Sequence, residues 1–234
     1  MVPLRRNLTI LLLTCVVASG CRRPPTRTVA PPVNAPMPKP VPPPEVPLLA
    51  PRLQATLAVD GELSEPAWRE AAHSGGFRDD VSGSLAVPHS ELRIATDGQR
   101  LLLGLYAADE DIVAKTQKAD APDANDDLFH VHLSRVDDGT TYDLRVAANG
   151  VVRENGAATG EKPNLPHATC AVEMDGTLND AHDDDEEWVA ECLLPFAILG
   201  LRVGDTLAFD VRRCDTPKGV ARRCASWKRR VQLQ

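Results

Sequence analysis

The side chains with the most chemistry to offer gather in one short stretch, where Asn125, Asp126 and Asp127 run directly into a segment carrying His130 and His132. Histidines two residues apart share one face of an extended chain, so both imidazoles can meet one ligand or one transition-metal ion. With no third donor at metal spacing, the pair reads more simply as two imidazoles on a half-solvated strand. A second acidic run holds Asp180, Asp183, Asp184, Asp185, Glu186 and Glu187. It offers hard oxygen ligands, and Asp183, Asp184 and Asp185 are the candidate Ca²⁺ ligands. It lacks the glycine-turned spacing of a calcium loop, so a solvated charge run competes.

Catalysis finds little support. No Gly-x-Ser-x-Gly, His-Glu-x-x-His or phosphate loop occurs. The carboxylates fall on turns and polar faces, with no pattern of a buried acid opposite a base. The chain is therefore read as a non-enzyme. Basic residues collect late, at Arg212, Arg213, Lys218, Arg222, Arg223, Lys228, Arg229 and Arg230. They alternate along extended segments of a chain whose formal charge is −7, so they read as a solvated face and not as a nucleic-acid surface.

The elements that must position these groups are strands. Glu91–Thr96 and Leu101–Ala107 flank Asp97-Gly98, a tight-turn signal. Phe129, Val131 and Leu133 alternate against the two histidines. Tyr142, Leu144 and Val146 alternate before Asn149-Gly150, after which Val151-Val152 continues. Leu207, Phe209 and Val211 alternate again, and Trp227–Leu233 ends the chain. Helical signal is confined to Pro66–Ala72 and Phe196–Leu199, each opened by a proline near its first position. Many short strands with regular turns predict an all-β antiparallel sandwich, jelly-roll or Ig-like, without internal repeats. Only 4% of the chain is aromatic, so the core must lean on Val, Leu and Ala.

Strand geometry also pairs the cysteines. Ala168–Met174 and Glu187–Leu193 read as two strands around the loop Asp175–Glu186. With Met174 opposite Trp188, antiparallel register sets Cys170 opposite Cys192, at bridging distance. Cys170, Val172, Met174, Trp188, Ala190 and Cys192 then share an apolar face, and Glu173, Glu187 and Glu191 the other. Cys214 and Cys224 sit at the mouth of a second hairpin. Four cysteines allow three pairings, and faces favour Cys170–Cys192 with Cys214–Cys224.

The N-terminus predicts export. Arg5 and Arg6 precede an apolar run, Leu8–Val17, too short to span a bilayer, and Ala18-Ser19-Gly20-Cys21 closes it. Small residues before a cysteine resemble the lipobox of bacterial lipoproteins, in which that cysteine becomes the lipidated N-terminus. Residues 1–20 are then a signal peptide and Cys21 the lipidation site. Between Arg22 and Pro51 lie twelve of the 20 prolines, an extended spacer that can reach roughly 90 Å as polyproline II. Arg22 after the lipidated residue points toward the outer membrane by the same resemblance. The expected division is 1–20 signal, 21–51 lipidated cysteine and linker, and 52–234 a single monomeric domain.

Five segments of that domain carry a further resemblance. Val59-Asp60-Gly61-Glu62-Leu63-Ser64-Glu65-Pro66-Ala67-Trp68 resembles the opening of family 9-like carbohydrate-binding modules. The hairpin Leu92–Asp109, with Asp97, Leu101 and Tyr106, follows in that family's order. So do Asn125-Asp126-Asp127-Leu128-Phe129, Tyr142–Val152, and Glu187-Trp188 through Pro195-Phe196. The resemblance implies a jelly-roll sandwich shared by polysaccharide-binding modules and cofactor-carrying export domains, with structural calcium in some members. Trp68 and Trp188 are assigned to the core. Xylan- and cellulose-binding members hold a terminal sugar between two tryptophans. Here the first matching region, Ala121–Asn125, has no aromatic, and the second offers Trp227.

The expected function is a lipid-anchored, non-catalytic module that binds polysaccharide or envelope glycan. Hydrogen bonds would come from Asn125, Asp126 and Arg145, and stacking from Trp227 or Tyr106. Two alternatives stand beside it: a protein-interaction lipoprotein whose sandwich has lost sugar binding, and a haem or electron-transfer domain of the same fold, using His130 or Met174.

Overall fold

The computed structural model describes residues 45–54, 57–118, 125–156 and 168–234. Cys21, the signal segment and most of the proline-rich linker lie outside the described residues. The elements in chain order begin with β1 (Leu48–Ala50), a 3-10 turn (Pro66–Arg69), β2 (Ala72–His73) and β3 (Arg78–Asp79). They continue with β4 (Ser90–Thr96), β5 (Arg100–Ala108), β6 (Leu128–Arg135), β7 (Thr141–Ala147) and β8 (Val152–Gly156). The last are β9 (Thr169–Asp175), β10 (Glu187–Pro195), the helical turn α1 (Phe196–Leu199), β11 (Thr206–Asp215) and β12 (Arg223–Leu233). Among the described residues no helix is long and apolar enough to cross a membrane.

Two sheets face each other. The larger runs β1-β12-β11-β6-β7-β8, with β3 also on β12, and the smaller runs β2-β4-β5-β10-β9. Among the described residues the strands pair antiparallel except β1 on β12, where Leu48, Leu49 and Ala50 lie beside Val231, Gln232 and Leu233, and an isolated parallel bridge joins Arg52 to Thr96. The outer edge of β12 is therefore shared, β1 covering its end and β3 covering Ala225 and Ser226. This places a strand inside the stretch expected to be linker. Leu48-Leu49 is too short for its own alternation to show, and its pairing comes from the open edge of β12.

Alternation sets the core. Leu101, Leu103, Leu105 and Ala107 of β5 point inward, as do Phe129, Val131 and Leu133 of β6, all buried. With few aromatics available, Phe129 forms the hub, 5.1 Å from the Trp188 ring and edge-on to Phe77 at 6.2 Å. The expected hairpin turns form with Gly98 at φ 89° and Gly150 at φ 79°, conformations that L side chains rarely adopt.

A second, smaller core lies on the outer face of the smaller sheet. Trp68, Leu53 and Leu57 pack there against Ala95, Leu102 and Leu193. Gly104 permits the close approach: a Cβ there would come 2.5 Å from Leu63 Cδ2. Glu191, expected on a solvated face, is consequently buried. Its Oε1 accepts the Trp68 Nε1–H at 2.6 Å, and its Oε2 accepts the amides of Asp60 and Gly61. Burial pushes its carboxyl up to about 7 despite these donors.

Both cross-strand disulfides are present. Cys170 lies opposite Cys192 and Cys214 opposite Cys224, in the register anticipated.

Candidate functional site

Strand register builds an ordered polar surface on the outer face of the larger sheet. Because Val131, Leu144 and Val211 point into the core, their neighbours must point out. From β3 to β8, Arg78, Ser226, Arg212, His130, Arg145 and Arg153 line up in one cross-strand row. The next row is Lys228, Asp210, His132, Asp143 and Asn155. Between them an open groove of about 620 Å³ is lined by Asp80, His130, His132, Asp210, Arg212, Ser226 and Lys228.

Ion pairs organise the groove. Arg212 Nε bonds Asp80 Oδ2 at 2.7 Å, and Lys228 Nζ bonds Asp210 Oδ2 at 2.6 Å. His130 Nε2 and His132 Nδ1 converge on a single oxygen, Asp143 Oδ1, at 2.7 and 2.9 Å. Burial alone would raise the Asp143 carboxyl, but the bonds from His132 and His130 outweigh it and leave the group below its usual value. An ionised carboxylate only accepts, so both imidazoles donate to it. In the neutral rings, the remaining nitrogens are then acceptors.

A different chemistry gathers beneath the loops at one end of the sandwich. Asp109, Asp127 and Asp215 each offer a carboxylate oxygen within 4.8 Å of the others, and all three are buried. Arg213 reaches into this triad, with Nη2 at 2.6 Å from Asp109 Oδ2 and 3.3 Å from Asp215 Oδ1. At 3% exposure it is not part of the solvated face anticipated for the late basic residues. Asp127 caps two loops by accepting the Val113 and Thr216 amides, each at 2.7 Å. Burial first, then the charge of Asp109, raises Asp127 to about 8. Burial, opposed by Arg213, raises Asp109 to about 6.

The anticipated ligand residues do not form one site. Tyr106 stands on the outer face of the smaller sheet, its ring 6.1 Å from that of His89, whereas Arg145 stands on the outer face of the larger sheet. Asp126 is 3% exposed, and its carboxylate accepts the Lys115 and Thr116 amides, so it anchors a loop. Asn125 is exposed beside it. Trp227 lies opposite the buried Val211 and packs half-buried against the core, edge-on to Phe209 at 6.3 Å. It is an edge filler of the sandwich and not a freestanding platform. The shared period of two that makes Trp227 inward is readable in the sequence beside Ala225 and Val231.

The three candidate calcium ligands, Asp183, Asp184 and Asp185, lie in the loop between β9 and β10. Both oxygens of Asp185 are taken, by the Ile112 amide at 2.7 Å and the Thr177 amide at 2.6 Å. Asp184 is exposed, and among the described residues none of the three joins a group of carboxylates or imidazoles close enough to share an ion. Two such groups occur among the described residues, the Asp109 triad and Asp60 with Glu65 and Glu191. The first already holds the Arg213 guanidinium, and in the second Glu191 accepts three N–H donors. His130 and Met174 occupy different sheets, on an outer and an inner face respectively, so they share no haem pocket.

No family model and no curated relative matches the chain. Solved structures do. A candidate carbohydrate-binding protein of Bacteroides uniformis superposes with TM-score 0.58 at 16% identity, covering 78% of this chain and 89% of its own. A family 9 carbohydrate-binding module of Caldicellulosiruptor kristjanssonii, in complex with cellotriose, gives 0.54 at 12% identity, covering 81% and 94%. The module from that organism in complex with glucose gives 0.54 at 10% identity, covering 80% and 95%. At such identities the likeness speaks for architecture alone, and the two-sheet sandwich described above has the fold of the family 9 carbohydrate-binding modules.

Proposed function

We propose that this chain is a non-catalytic carbohydrate-binding module held at the bacterial cell envelope through a lipid on Cys21. The fold match to modules solved with cellotriose and with glucose carries the proposal. The open polar groove on the larger sheet gives that fold a place to bind, because it mixes donors and acceptors as a polyhydroxylated ligand requires. Arg145 lies in the same cross-strand row, and it is the member of the anticipated ligand set that this location retains. The protein acts as a monomer, with the proline-rich segment as spacer and the outer membrane as its seat.

The test is affinity electrophoresis of the purified protein through gels containing xylan, β-glucan, a cellulose derivative, polygalacturonate or peptidoglycan fragments, each with calcium and with EDTA. Retardation by at least one polymer, unaltered by EDTA, is expected. Equal mobility in every gel would reject it. Envelope fractionation checks the anchor separately: Cys21→Ser should move the protein from the membrane to the soluble fraction.

One observation favours a second reading, a protein-interaction lipoprotein without sugar affinity. The aromatic side chains that could stack on a sugar are dispersed, Trp227 inward and Tyr106 on the opposite sheet. Capture of an envelope protein together with immobility toward all glycans would favour it.

A further inference from the structure

We infer that His130, His132 and Asp143 form a binding site for a late first-row divalent cation, with Zn²⁺ as the representative ion. The inference does not depend on the carbohydrate reading. It starts from strand register. His130 and His132 stand two residues apart on β6, so both imidazoles leave the same outer face of the larger sheet, where they border the open groove. Asp143 of β7 is the direct cross-strand partner of His132. The hairpin thus supplies a third donor that local spacing could not show, 11 residues from one histidine and 13 from the other.

The three side chains converge. His130 Nε2 lies 2.7 Å and His132 Nδ1 2.9 Å from the same oxygen, Asp143 Oδ1. His132, opposite the aspartate, uses the nitrogen near its backbone, and His130, displaced along the strand, reaches with the far one. Two imidazole nitrogens and a carboxylate oxygen are a donor set that zinc sites use, with bonds of about 2.0–2.2 Å and adjacent ligands roughly 3.4 Å apart. The two nitrogens stand too far from each other for one ion as they lie, so one ring must swing inward. That swing is open to them, because the imidazoles are 29% and 39% exposed. Binding exchanges two N–H···O bonds for two metal–nitrogen bonds. Each neutral ring passes its proton through solvent to its other nitrogen, so no net proton is released. Charge favours the exchange. Asp80 neutralises Arg212, Asp210 neutralises Lys228, and Arg145 beside His130 has a partner of its own. Asp143 bonds the rings in their neutral form, so its negative charge is left for a cation. Imidazole nitrogen selects Zn²⁺ or Cu²⁺ over Ca²⁺, which takes oxygen ligands in greater number.

The deciding measurement is isothermal titration calorimetry of the purified, untagged protein with zinc chloride, after treatment with EDTA and its removal. A single equivalent of Zn²⁺ is expected, and excess Ca²⁺ should not displace it. His132→Ala and Asp143→Asn should each weaken uptake roughly tenfold or more, the lower end of what even an outer partner of a metal ligand contributes. His73→Ala should not, although His73 Nδ1 lies 2.8 Å from Glu91 Oε1 on the other sheet. These side chains are all partly exposed, and thermal melts recorded in EDTA check that each variant folds. Cu²⁺ on the parent should show coupling to two imidazole nitrogens in electron paramagnetic resonance, and to one in His132→Ala. Uptake that survives Asp143→Asn would reduce the site to a bare histidine pair and overturn the inference. Uptake lost in His73→Ala, displacement by Ca²⁺, or no uptake at all would overturn it equally.

Discussion

Replacing Trp68 by Phe keeps a ring in the plug beneath the smaller sheet but removes the N–H that reaches Glu191 Oε1. A buried acceptor then loses its partner, and the expected loss is about 1–3 kcal/mol, read as a lower denaturation midpoint. Arg213→Met is the harsher change. It strips Asp109 and Asp215 of their internal cation and should cost about 3–5 kcal/mol in chemical denaturation, with Asp109→Asn in the same background recovering part of the loss. Neither partner choice was legible from sequence. Arg212 and Arg213 are adjacent, so alternation requires one of them to turn inward, but nothing local says that an aspartate waits there. Asp109 lies 104 residues away. Glu191 misled for a related reason: its alternation was read correctly, yet a segment from the other end of the domain folds over that face.

At the scale of elements, long apolar or alternating segments translated directly into strands, as at β5, β6 and β12. Short pieces did not: β1, β2 and β3 have three residues or two, and neighbouring edges define them. The register between β9 and β10 was legible because an apolar face and a cysteine pair had to agree on it. Each disulfide closes a short loop, with separations of 22 and 10 residues, and replacing either pair by alanine should cost about 3 kcal/mol. The check is a comparison of thermal melts of each double variant with the oxidised parent. The candidate groove was half visible: His130, His132 and Arg212 are plainly outward-facing in their strands, but their lateral order depends on β6 lying between β7 and β11.

Across the whole molecule, buried carboxylates make stability depend on pH. Asp109, Asp127 and Glu191 titrate in the folded chain near 6, 8 and 7, above the ordinary carboxylate range. The folded state therefore holds protons that the unfolded chain releases, and stability must fall as pH climbs from about 4 to about 8. Urea midpoints at pH 5 should exceed those at pH 8, and Asp127→Asn should flatten the difference at some cost in absolute stability. A midpoint that rises with pH over this window would contradict the burial of these groups. The larger sheet has one further property, set by the direction of its first strand. β1 lies parallel to β12, with three residues side by side. A pull on the chain ahead of Leu48, directed along the strand, strains those contacts together in shear and does not peel them one by one. The first strand is thus held by a joint that resists tension along its axis, and yields most readily when the chain is lifted sideways from the sheet edge.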